Sequence, residues 1–226
     1  TMQTQMAMLA KGNHDNFTKN LQVSHVEVNG KTLGIIGAGN IGRTVMKIAK
    51  ALDMNILVYT RTPREEEENV HYTDLETVLK NSDYVSLHCP NTPVTKNMVN
   101  KERLAMMKPT AFLINTARGG CVDEDALYEA CKNGVIAGAG LDAIKKEPVD
   151  PANPLLTLDN VIIYPHIGGN TSEAAHRASY FAAMGVQEVY EGKKPTWPIN
   201  DVDYKTAKTY TDTKKPDTKP AGMFDF

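Results

Sequence analysis

A short apolar run that leads directly into spaced glycines is the feature that most constrains this chain, and it lies in residues 32–43 (TLGIIGAGNIGR). The aliphatic residues at 33–36 are typical of a strand that is covered on both faces. Apolar residues then recur at helical spacing, at Ile41, Val45, Ile48, Ala49 and Leu52. The change of period at the glycines predicts a buried strand, a tight turn and a helix.

The glycines follow the pattern GxGxxG, and each has its own role in a turn that binds a phosphate. Gly37 permits the tight turn, Gly39 lets backbone N–H groups approach a pyrophosphate, and Gly42 lets the helix pack closely against the strand. The same pattern also occurs in turns that are merely tight, but the strand before it and the helix after it favour a dinucleotide site. The predicted site residues in this turn are Gly37, Gly39, Asn40, Ile41 and Gly42.

Segments typical of strands and helices alternate along the rest of the chain. Further strands are predicted at residues 55–59, 84–87, 110–114, 135–141 and 161–163, and further helices at 74–79, 123–133 and 171–190. This alternation predicts an α/β fold with a doubly wound parallel sheet, Rossmann-like, in three α/β/α layers. Such sheets bind ligands at the carboxyl ends of their strands, so we expect the functional residues directly after each strand.

Composition limits the classes of function open to the chain. The formal net charge is -2, with basic residues scattered among a similar number of acids, which argues against a nucleic acid partner. No apolar stretch reaches the ~18 residues of a membrane helix, so we expect no membrane partner. Cys89, Cys121 and Cys131 lack the spacing of metal ligands, and we predict no metal site. Reduced thiols that fill apolar space suit a cytoplasmic protein.

Four motifs in order give the chain a resemblance to a known family: GIIGAGNIG, LHCPNTPVT, LINTARGGCVDEDAL, and GLDAIKKEP followed by YPHIGG. From about residue 2 to residue 200 the chain resembles the D-isomer-specific 2-hydroxyacid dehydrogenases. The resemblance implies a dinucleotide-binding domain at 1–166 and, at 167–200, a helix returning toward a substrate domain whose first part is absent. Residues 201–226 are expected to form a flexible tail, because residues 205–220 contain one aromatic residue and no Leu, Ile, Val, Phe or Met. Without the N-terminal substrate domain, the chain alone is expected to be nearly inactive.

The resemblance also implies a catalytic triad of Arg118, Glu147 and His166. Arg118 would bind the substrate carboxylate and polarise its carbonyl, His166 would be the acid/base, and Glu147 would hold and charge that histidine. These residue types suit the chemistry, because reduction of a 2-keto acid needs a proton donor that works near neutral pH. A planar guanidinium can bind two oxygens at once. Each residue taken singly also suits a structural role at the surface.

Further cofactor residues follow from the same resemblance. Asp142 would bond the nicotinamide carboxamide, or alternatively cap a turn. The residues expected to line the rest of the dinucleotide are Thr60, Arg61, Thr62, His88, Cys89, Pro90, Thr95, Thr116, Ala117, Gly168 and Gly169. Members that prefer NAD carry an acidic residue after the second strand, where this chain has Thr60 and Arg61. We therefore predict NAD(P) with NADP favoured over NAD, although the acidic run at residues 65–68 would oppose a 2′-phosphate if it faced the site.

The first functional hypothesis is an oxidoreductase that transfers a hydride between NAD(P)H and a small 2-keto or 2-hydroxy acid, of the glyoxylate, hydroxypyruvate or phosphoglycerate kind. The alternative is a dinucleotide-sensing scaffold, because the family's fold also serves a transcriptional corepressor. A formate or phosphite dehydrogenase is a third interpretation, and Glu147 argues against the formate branch, which has glutamine there. Isolated apolar residues in the polar segment 13–28 predict a homodimer.

Overall fold

The computed structural model describes residue 6 and residues 9–12, 26–62 and 69–198. Within these residues, 7 parallel strands form a sheet: β1 (Thr32–Ile36), β2 (Asn55–Tyr59), β3 (Val70–Tyr72), β4 (Tyr84–Leu87), β5 (Phe112–Asn115), β6 (Gly138–Leu141) and β7 (Val161–Ile163). Their order in the sheet is β3-β2-β1-β4-β5-β6-β7. The strand order reverses between β1 and β4, and ligands of open parallel sheets bind at the carboxyl ends of strands at such a switch point. The predicted doubly wound parallel sheet is confirmed.

Helices in the same described ranges connect the strands. They are α1 (Asn40–Ala51), α2 (Leu75–Asn81), α3 (Lys101–Leu104), α4 (Glu124–Lys132) and α5 (Ser172–Tyr190), with short 3-10 helices at Gly119–Cys121 and Pro154–Thr157. The side chains of Asp74, Asp123 and Thr171 each accept a hydrogen bond from the backbone N–H three residues later, at 2.9, 3.2 and 3.1 Å. These N-caps start α2, α4 and α5 where the sequence predicts a helix start.

Two hydrophobic clusters cover the two faces of the sheet, because successive side chains of a strand point to opposite faces. Leu33 and Ile35 of β1 belong to a cluster that includes Ala49 of α1. Ile36 belongs to the other cluster, which includes Val78 of α2. Helices therefore pack on both sides of the sheet, in agreement with the predicted three layers.

Apart from Ala49, the residues that α1 buries are not the apolar residues that recur at helical spacing in the sequence. The residues that α1 buries are Gly42, Met46 and Ala49. In contrast, Ile41, Ile48 and Leu52 are 65%, 57% and 47% exposed. Both sets have helical spacing, so periodicity alone does not choose between them. The glycine decides, because a helix approaches a sheet most closely where a side chain is missing.

The strand boundaries also need correction. β5 begins at Phe112 rather than at residue 110, and β6 begins at Gly138 rather than at residue 135. Residues 135–137 first complete the turn after α4, since the Val135 N–H donates to the Ala130 carbonyl oxygen at 2.8 Å. The sequence analysis also misses β3, because a polar histidine interrupts its three residues, whereas the three residues of β7 form a continuous apolar run.

Asp83 joins the amino ends of three neighbouring strands. Its carboxylate accepts hydrogen bonds from the Thr32 N–H at 2.9 Å and from Lys108 Nζ at 2.8 Å. Its backbone donates to the Thr32 oxygen and accepts from the Phe112 N–H. Burial raises the pKa of the Asp83 carboxyl, but the hydrogen bonds from Lys108 and Thr32 outweigh burial and hold that pKa below its ordinary value. The ionised carboxylate therefore fixes β1, β4 and β5 at the edge opposite the glycine turn.

The chain divides into two compact units, residues 1–165 and 166–226. The first unit contains the sheet and α1 to α4. The second contains α5, on which Tyr180, Phe181 and Val186 are exposed. Among the helices that the structure describes, none has the length and apolar character needed to cross a membrane.

Three stretches singled out in the sequence lie wholly or mostly outside the described residues. They are the segment 13–28, described only from residue 26, the acidic run at 65–68 and the tail at 201–226. Where the segment 13–28 is described, its apolar side chains Val26 and Val28 are 65% and 37% exposed.

Candidate functional site

The glycine-rich turn joins β1 to α1 at the carboxyl edge of the sheet. Gly37 has a φ of +103°, which L side chains rarely adopt, and its N–H donates to the Tyr59 carbonyl oxygen at 2.8 Å. A Cβ on Gly37 would lie 2.9 Å from the carbonyl carbon of His88. A Cβ on Gly42 would lie 2.2 Å from the Gly37 carbonyl oxygen. The packing of the protein itself therefore requires glycine at both positions.

Gly39 differs from these two glycines because the protein leaves space beside it. A Cβ there would meet no atom within 4 Å, and the backbone has extended angles of φ −72° and ψ −167° that any residue can adopt. Gly39 is the N-cap residue of α1 and has no side chain to accept hydrogen bonds from the N–H groups of the first turn. Internal packing gives no reason for glycine here, whereas close approach of an anion to the helix N-terminus does.

The end of β2 lies beside this turn, because Tyr59 accepts the hydrogen bond from Gly37. Thr60 follows it and is half-buried, and Arg61 and Thr62 are exposed. A ribose or its 2′-phosphate is expected at these three positions, of which Arg61 and Thr62 are open to solvent next to the glycines.

His88 follows β4 and packs against the glycine turn. Its Nε2 lies 2.9 Å from Ser86 Oγ, and its Cβ would contact a Cβ on Gly42 at 3.5 Å. Burial lowers the pKa of the imidazole, and its Nδ1 is buried with no hydrogen-bond partner among the described residues. The partly buried His88 therefore favours its neutral form, which suits packing against the turn better than proton transfer.

Thr95 shapes the loop that follows β4. Its hydroxyl donates to the Pro90 carbonyl oxygen at 2.5 Å and accepts from the Thr92 N–H at 2.7 Å. These two bonds close the loop around Cys89 and Pro90. In the structure Thr95 acts on the site by holding this loop in shape.

Asn115, the last residue of β5, is a positioning residue that the sequence analysis misses. Its side chain is 1% exposed. Its Nδ2 donates to the carbonyl oxygens of Arg118 at 3.1 Å and Ala143 at 3.3 Å, and its Oδ1 accepts from the Ala117 N–H at 3.0 Å. One amide thus ties the turn before Arg118 to the segment after β6. The available signal was an amide placed directly after an apolar run at a predicted strand end.

The Asn115→Asp variant is expected to lower the free energy of unfolding by about 1–3 kcal/mol. Aspartate keeps the size of the side chain and one acceptor, but it loses both donors and turns a charge toward two carbonyl oxygens. Urea denaturation measures the change. The matched control is Asn55→Asp, at an exposed amide that makes one hydrogen bond to the Gly30 carbonyl oxygen. Equal losses in the two variants would contradict the positioning role.

Arg118 and Glu147 lie on two turns that pack together within the first unit. A Cβ on Gly119 would lie 1.9 Å from the carbonyl carbon of Ile144, so the backbones of the two turns touch. The Ile144 N–H donates to Glu147 Oε1 at 3.2 Å, and Arg118 Nη1 donates to the Ala117 carbonyl oxygen at 2.7 Å. Both charged side chains are exposed. The structure therefore brings these two candidate catalytic residues to adjoining turns at the carboxyl edge.

The remaining candidates divide between the two units. Asp142 follows β6, and its N–H donates to the Asn115 carbonyl oxygen at 2.9 Å. Thr116 and Ala117 lie on the turn held by Asn115. His166 is the first residue of the second unit and has a φ of +56°, and Gly168 and Gly169 follow it there. The predicted triad is thus split, with Arg118 and Glu147 in the first unit.

Among the residues that the structure describes, no group of three or more His, Cys, Asp or Glu side chains is arranged to hold a metal ion. The candidate site of the first unit consists of the glycine turn, the start of α1 and the polar residues that follow β2, β4, β5 and β6.

A parallel sheet with a GxGxxG turn at its switch point and an uncapped helix start beside it defines a Rossmann-like dinucleotide-binding domain. Residues 2–168 match the sequence model of a family described as D-isomer specific 2-hydroxyacid dehydrogenase, NAD binding domain. The chain belongs to the D-isomer specific 2-hydroxyacid dehydrogenase family. The resemblance inferred from the four motifs is confirmed.

Several curated relatives are similar to this chain. A glyoxylate reductase of Thermofilum pendens is 44% identical over 178 residues, covering 77% of this chain and 52% of the relative. A hydroxypyruvate reductase of Thermotoga maritima is 47% identical over 153 residues, covering 67% and 50%. A D-3-phosphoglycerate dehydrogenase of Methanocaldococcus jannaschii is 45% identical over 172 residues, covering 74% and 33%. The chain spans about half the length of the first two relatives and a third of the last.

Solved structures agree with this placement. The D-lactate dehydrogenase of Aquifex aeolicus, complexed with NAD and lactic acid, has a TM-score of 0.76 and 36% identity, covering 84% of this chain and 62% of that one. The D-lactate dehydrogenase of Lactobacillus jensenii with NAD+ has a TM-score of 0.76 and 32% identity, covering 86% and 63%.

Proposed function

We propose that this chain supplies the dinucleotide-binding part of a D-2-hydroxyacid dehydrogenase, which transfers a hydride between NAD(P)H and a small 2-keto acid. The observation that carries the proposal is the open space beside Gly39, at the start of a helix of 12 residues with no side-chain cap. A pyrophosphate fits there, because its charge complements the helix N-terminus and its oxygens can accept hydrogen bonds from the first-turn N–H groups.

The residues that would hold the dinucleotide lie on the turns at the carboxyl edge. Gly39, Asn40 and Ile41 would face the pyrophosphate, and the residues after β2 would face the adenosine ribose. Thr116, Ala117 and Asp142 would face the nicotinamide, with Gly168 and Gly169. The solved structures of similar proteins that contain NAD support a nicotinamide dinucleotide as the ligand.

When bound, the reduced nicotinamide supplies a hydride for the carbonyl carbon of the 2-keto acid. His166 would donate the proton that the carbonyl oxygen needs, and Glu147 would orient the imidazole and stabilise its charged form. Arg118 would hold the substrate carboxylate with two parallel N–H groups and draw electron density from the carbonyl. Arginine suits this role better than lysine because its planar guanidinium fixes the orientation of the acid.

The substrate class is proposed from the relatives. They are named glyoxylate reductase, hydroxypyruvate reductase and D-3-phosphoglycerate dehydrogenase, and all of these names denote small 2-keto or 2-hydroxy acids. We propose a substrate of this class, without choosing among the three kinds of acid. We also propose a cytoplasmic location.

For the cofactor we propose NADP over NAD, because Arg61 and Thr62 are exposed after β2 and no acidic residue stands at 60–62 to repel a 2′-phosphate. Calorimetric titration of the chain with NADPH and with NADH tests both parts of the proposal. We expect binding of both and tighter binding of NADPH, with the difference removed in Arg61→Ala. Tighter binding of NADH would contradict the preference, and binding of neither would contradict the function.

We also propose a homodimer, because Val26 and Val28 are 65% and 37% exposed at the end of a polar segment. A two-fold partner could bury such isolated apolar side chains from both subunits. Analytical ultracentrifugation at micromolar concentration is expected to give twice the chain mass of 24.8 kDa. A monomer mass under those conditions would contradict the proposal.

A further inference from the structure

Two of the three cysteines meet in space although 31 residues separate them in the sequence. Cys89 Sγ and Cys121 Sγ are 3.9 Å apart. Cys121 is fully buried, and Cys89 is half-buried and therefore partly open to solvent. Cys131, on α4, is 3% exposed, and it shares no sulfur contact with the other two. The thiols of Cys89 and Cys121 are both free, so these two residues form a dithiol pair.

The two cysteines lie on the two loops that frame the candidate site. The backbone at Cys89 packs against the glycine turn, since a Cβ on Gly37 would lie 3.0 Å from the Cys89 nitrogen. Cys121 ends the 3-10 turn after Arg118, and its N–H donates to the Arg118 carbonyl oxygen at 3.1 Å. A bond between the sulfurs would therefore connect the loop that supports Gly37 to the turn that carries Arg118.

We propose that Cys89 and Cys121 form a redox-sensitive pair, which a small-molecule disulfide such as oxidised glutathione converts to an internal disulfide with loss of dinucleotide affinity. The first part of this inference stands on the thiol geometry alone. The second part, the loss of affinity, rests on the proposed function.

The chemistry proceeds by two exchanges. Cys89, the more exposed thiol, loses its proton and attacks one sulfur of oxidised glutathione, which forms a mixed disulfide and releases one glutathione thiolate. Cys121 then loses its proton and attacks the Cys89 sulfur, which forms the internal disulfide and releases the second glutathione. The two protons and two electrons lost by the cysteines are recovered in two molecules of reduced glutathione.

The reduced pair is expected to react slowly with such an oxidant. Burial and the neighbouring Cys121 raise the pKa of the Cys89 thiol to about 12, so little of it is thiolate at neutral pH. The first exchange is therefore expected to be slow. Once the mixed disulfide has formed, the second exchange is intramolecular, because the Cys121 sulfur is already in contact with Cys89.

Closure must bring the two sulfurs closer together. The sulfurs must approach from 3.9 Å to the ~2.0 Å of a disulfide bond, a shift of roughly 1.9 Å. Cys121 is held by its backbone bonds to Arg118 and Val99, and Cys89 by its packing against Gly37. Any part of this shift that side-chain rotation does not supply moves the glycine turn or the Arg118 turn, and both adjoin the proposed cofactor.

The test uses the Cys131→Ala variant, in which Cys89 and Cys121 are the only thiols. The protein is incubated with oxidised glutathione, and its mass, its thiol content in denaturant and its affinity for NADPH and NADH are measured. We expect loss of both thiols, a mass lower by two hydrogens with no added glutathione, and a roughly tenfold or larger loss of affinity for the tighter-binding dinucleotide. Dithiothreitol should reverse all three changes.

The matched controls are Cys89→Ala and Cys121→Ala in the same background, with circular dichroism to verify the fold. Neither variant is expected to form the internal disulfide, and Cys121→Ala is expected to keep glutathione on Cys89 until dithiothreitol removes it. Persistent glutathione adducts or two unreacted thiols in Cys131→Ala would overturn the thiol pair, and a disulfide with unchanged affinity would overturn its effect. If the reduced protein binds no dinucleotide, both the proposed function and the effect on affinity are contradicted. The mass measurement then still shows whether the internal disulfide forms.

Discussion

The His166→Ala variant of the complete protein is expected to reduce a 2-keto acid with a kcat about 100-fold to 10,000-fold lower, the usual effect of losing a general acid. In the proposed mechanism the carbonyl oxygen then has no side chain to protonate it as the hydride arrives. The affinity for the dinucleotide should remain close to that of the parent protein, because the pyrophosphate site at Gly39 belongs to the other unit. Stopped-flow measurement of NADPH oxidation gives the rate, and calorimetry gives the affinity.

A second variant separates loss of the proton donor from backbone strain. His166 has a φ of +56°, and asparagine adopts this conformation more readily than alanine does. His166→Asn is therefore expected to lose kcat to the same extent. The control is His176→Ala, at an exposed histidine of α5, which should keep the parent kcat. Near-parental turnover in both His166 variants would contradict the assignment of this residue as the acid/base.

The Gly39→Val variant is expected to lower dinucleotide affinity by roughly 100-fold or more, which corresponds to ~2.7 kcal/mol. The valine side chain would occupy the space in which a pyrophosphate must approach the backbone. The fold should remain intact, because a Cβ there meets no protein atom within 4 Å and the backbone angles suit any residue. The variant replaces a favourable N-cap residue with an unfavourable one, so we expect its free energy of unfolding to fall by no more than about 1 kcal/mol.

Gly42→Ala is the contrasting variant within the same motif. Its Cβ would lie 2.2 Å from the Gly37 carbonyl oxygen, so the start of α1 must move away from β1. We expect a loss of about 1–3 kcal/mol in the free energy of unfolding, as is usual when extra atoms enter a packed site. Urea denaturation and calorimetric titration on both variants should show that position 39 affects binding and position 42 affects stability. Parental dinucleotide affinity in Gly39→Val would contradict the pyrophosphate site.

The local parts of the fold could be predicted from the sequence because their causes are local. A strand of apolar residues, a glycine turn and a helical period lie next to one another in residues 32–52, and Asp74, Asp123 and Thr171 cap the helices that they precede. The alternation of such elements was sufficient for the parallel sheet. The four motifs were sufficient for the family, which the match over residues 2–168 confirms. The role of each site residue stays a prediction.

Only the tertiary structure decided which contacts form between segments that are distant in the sequence. It assigned the buried face of α1 to Gly42 and Met46, and it showed Asn115 bonded to both Arg118 and Ala143. It also brought Cys89 to within 3.9 Å of Cys121. Periodicity and capping act over one or two turns of chain, whereas these contacts depend on how strands pair and how closely their connecting loops pack. No pattern within a single segment carries that information.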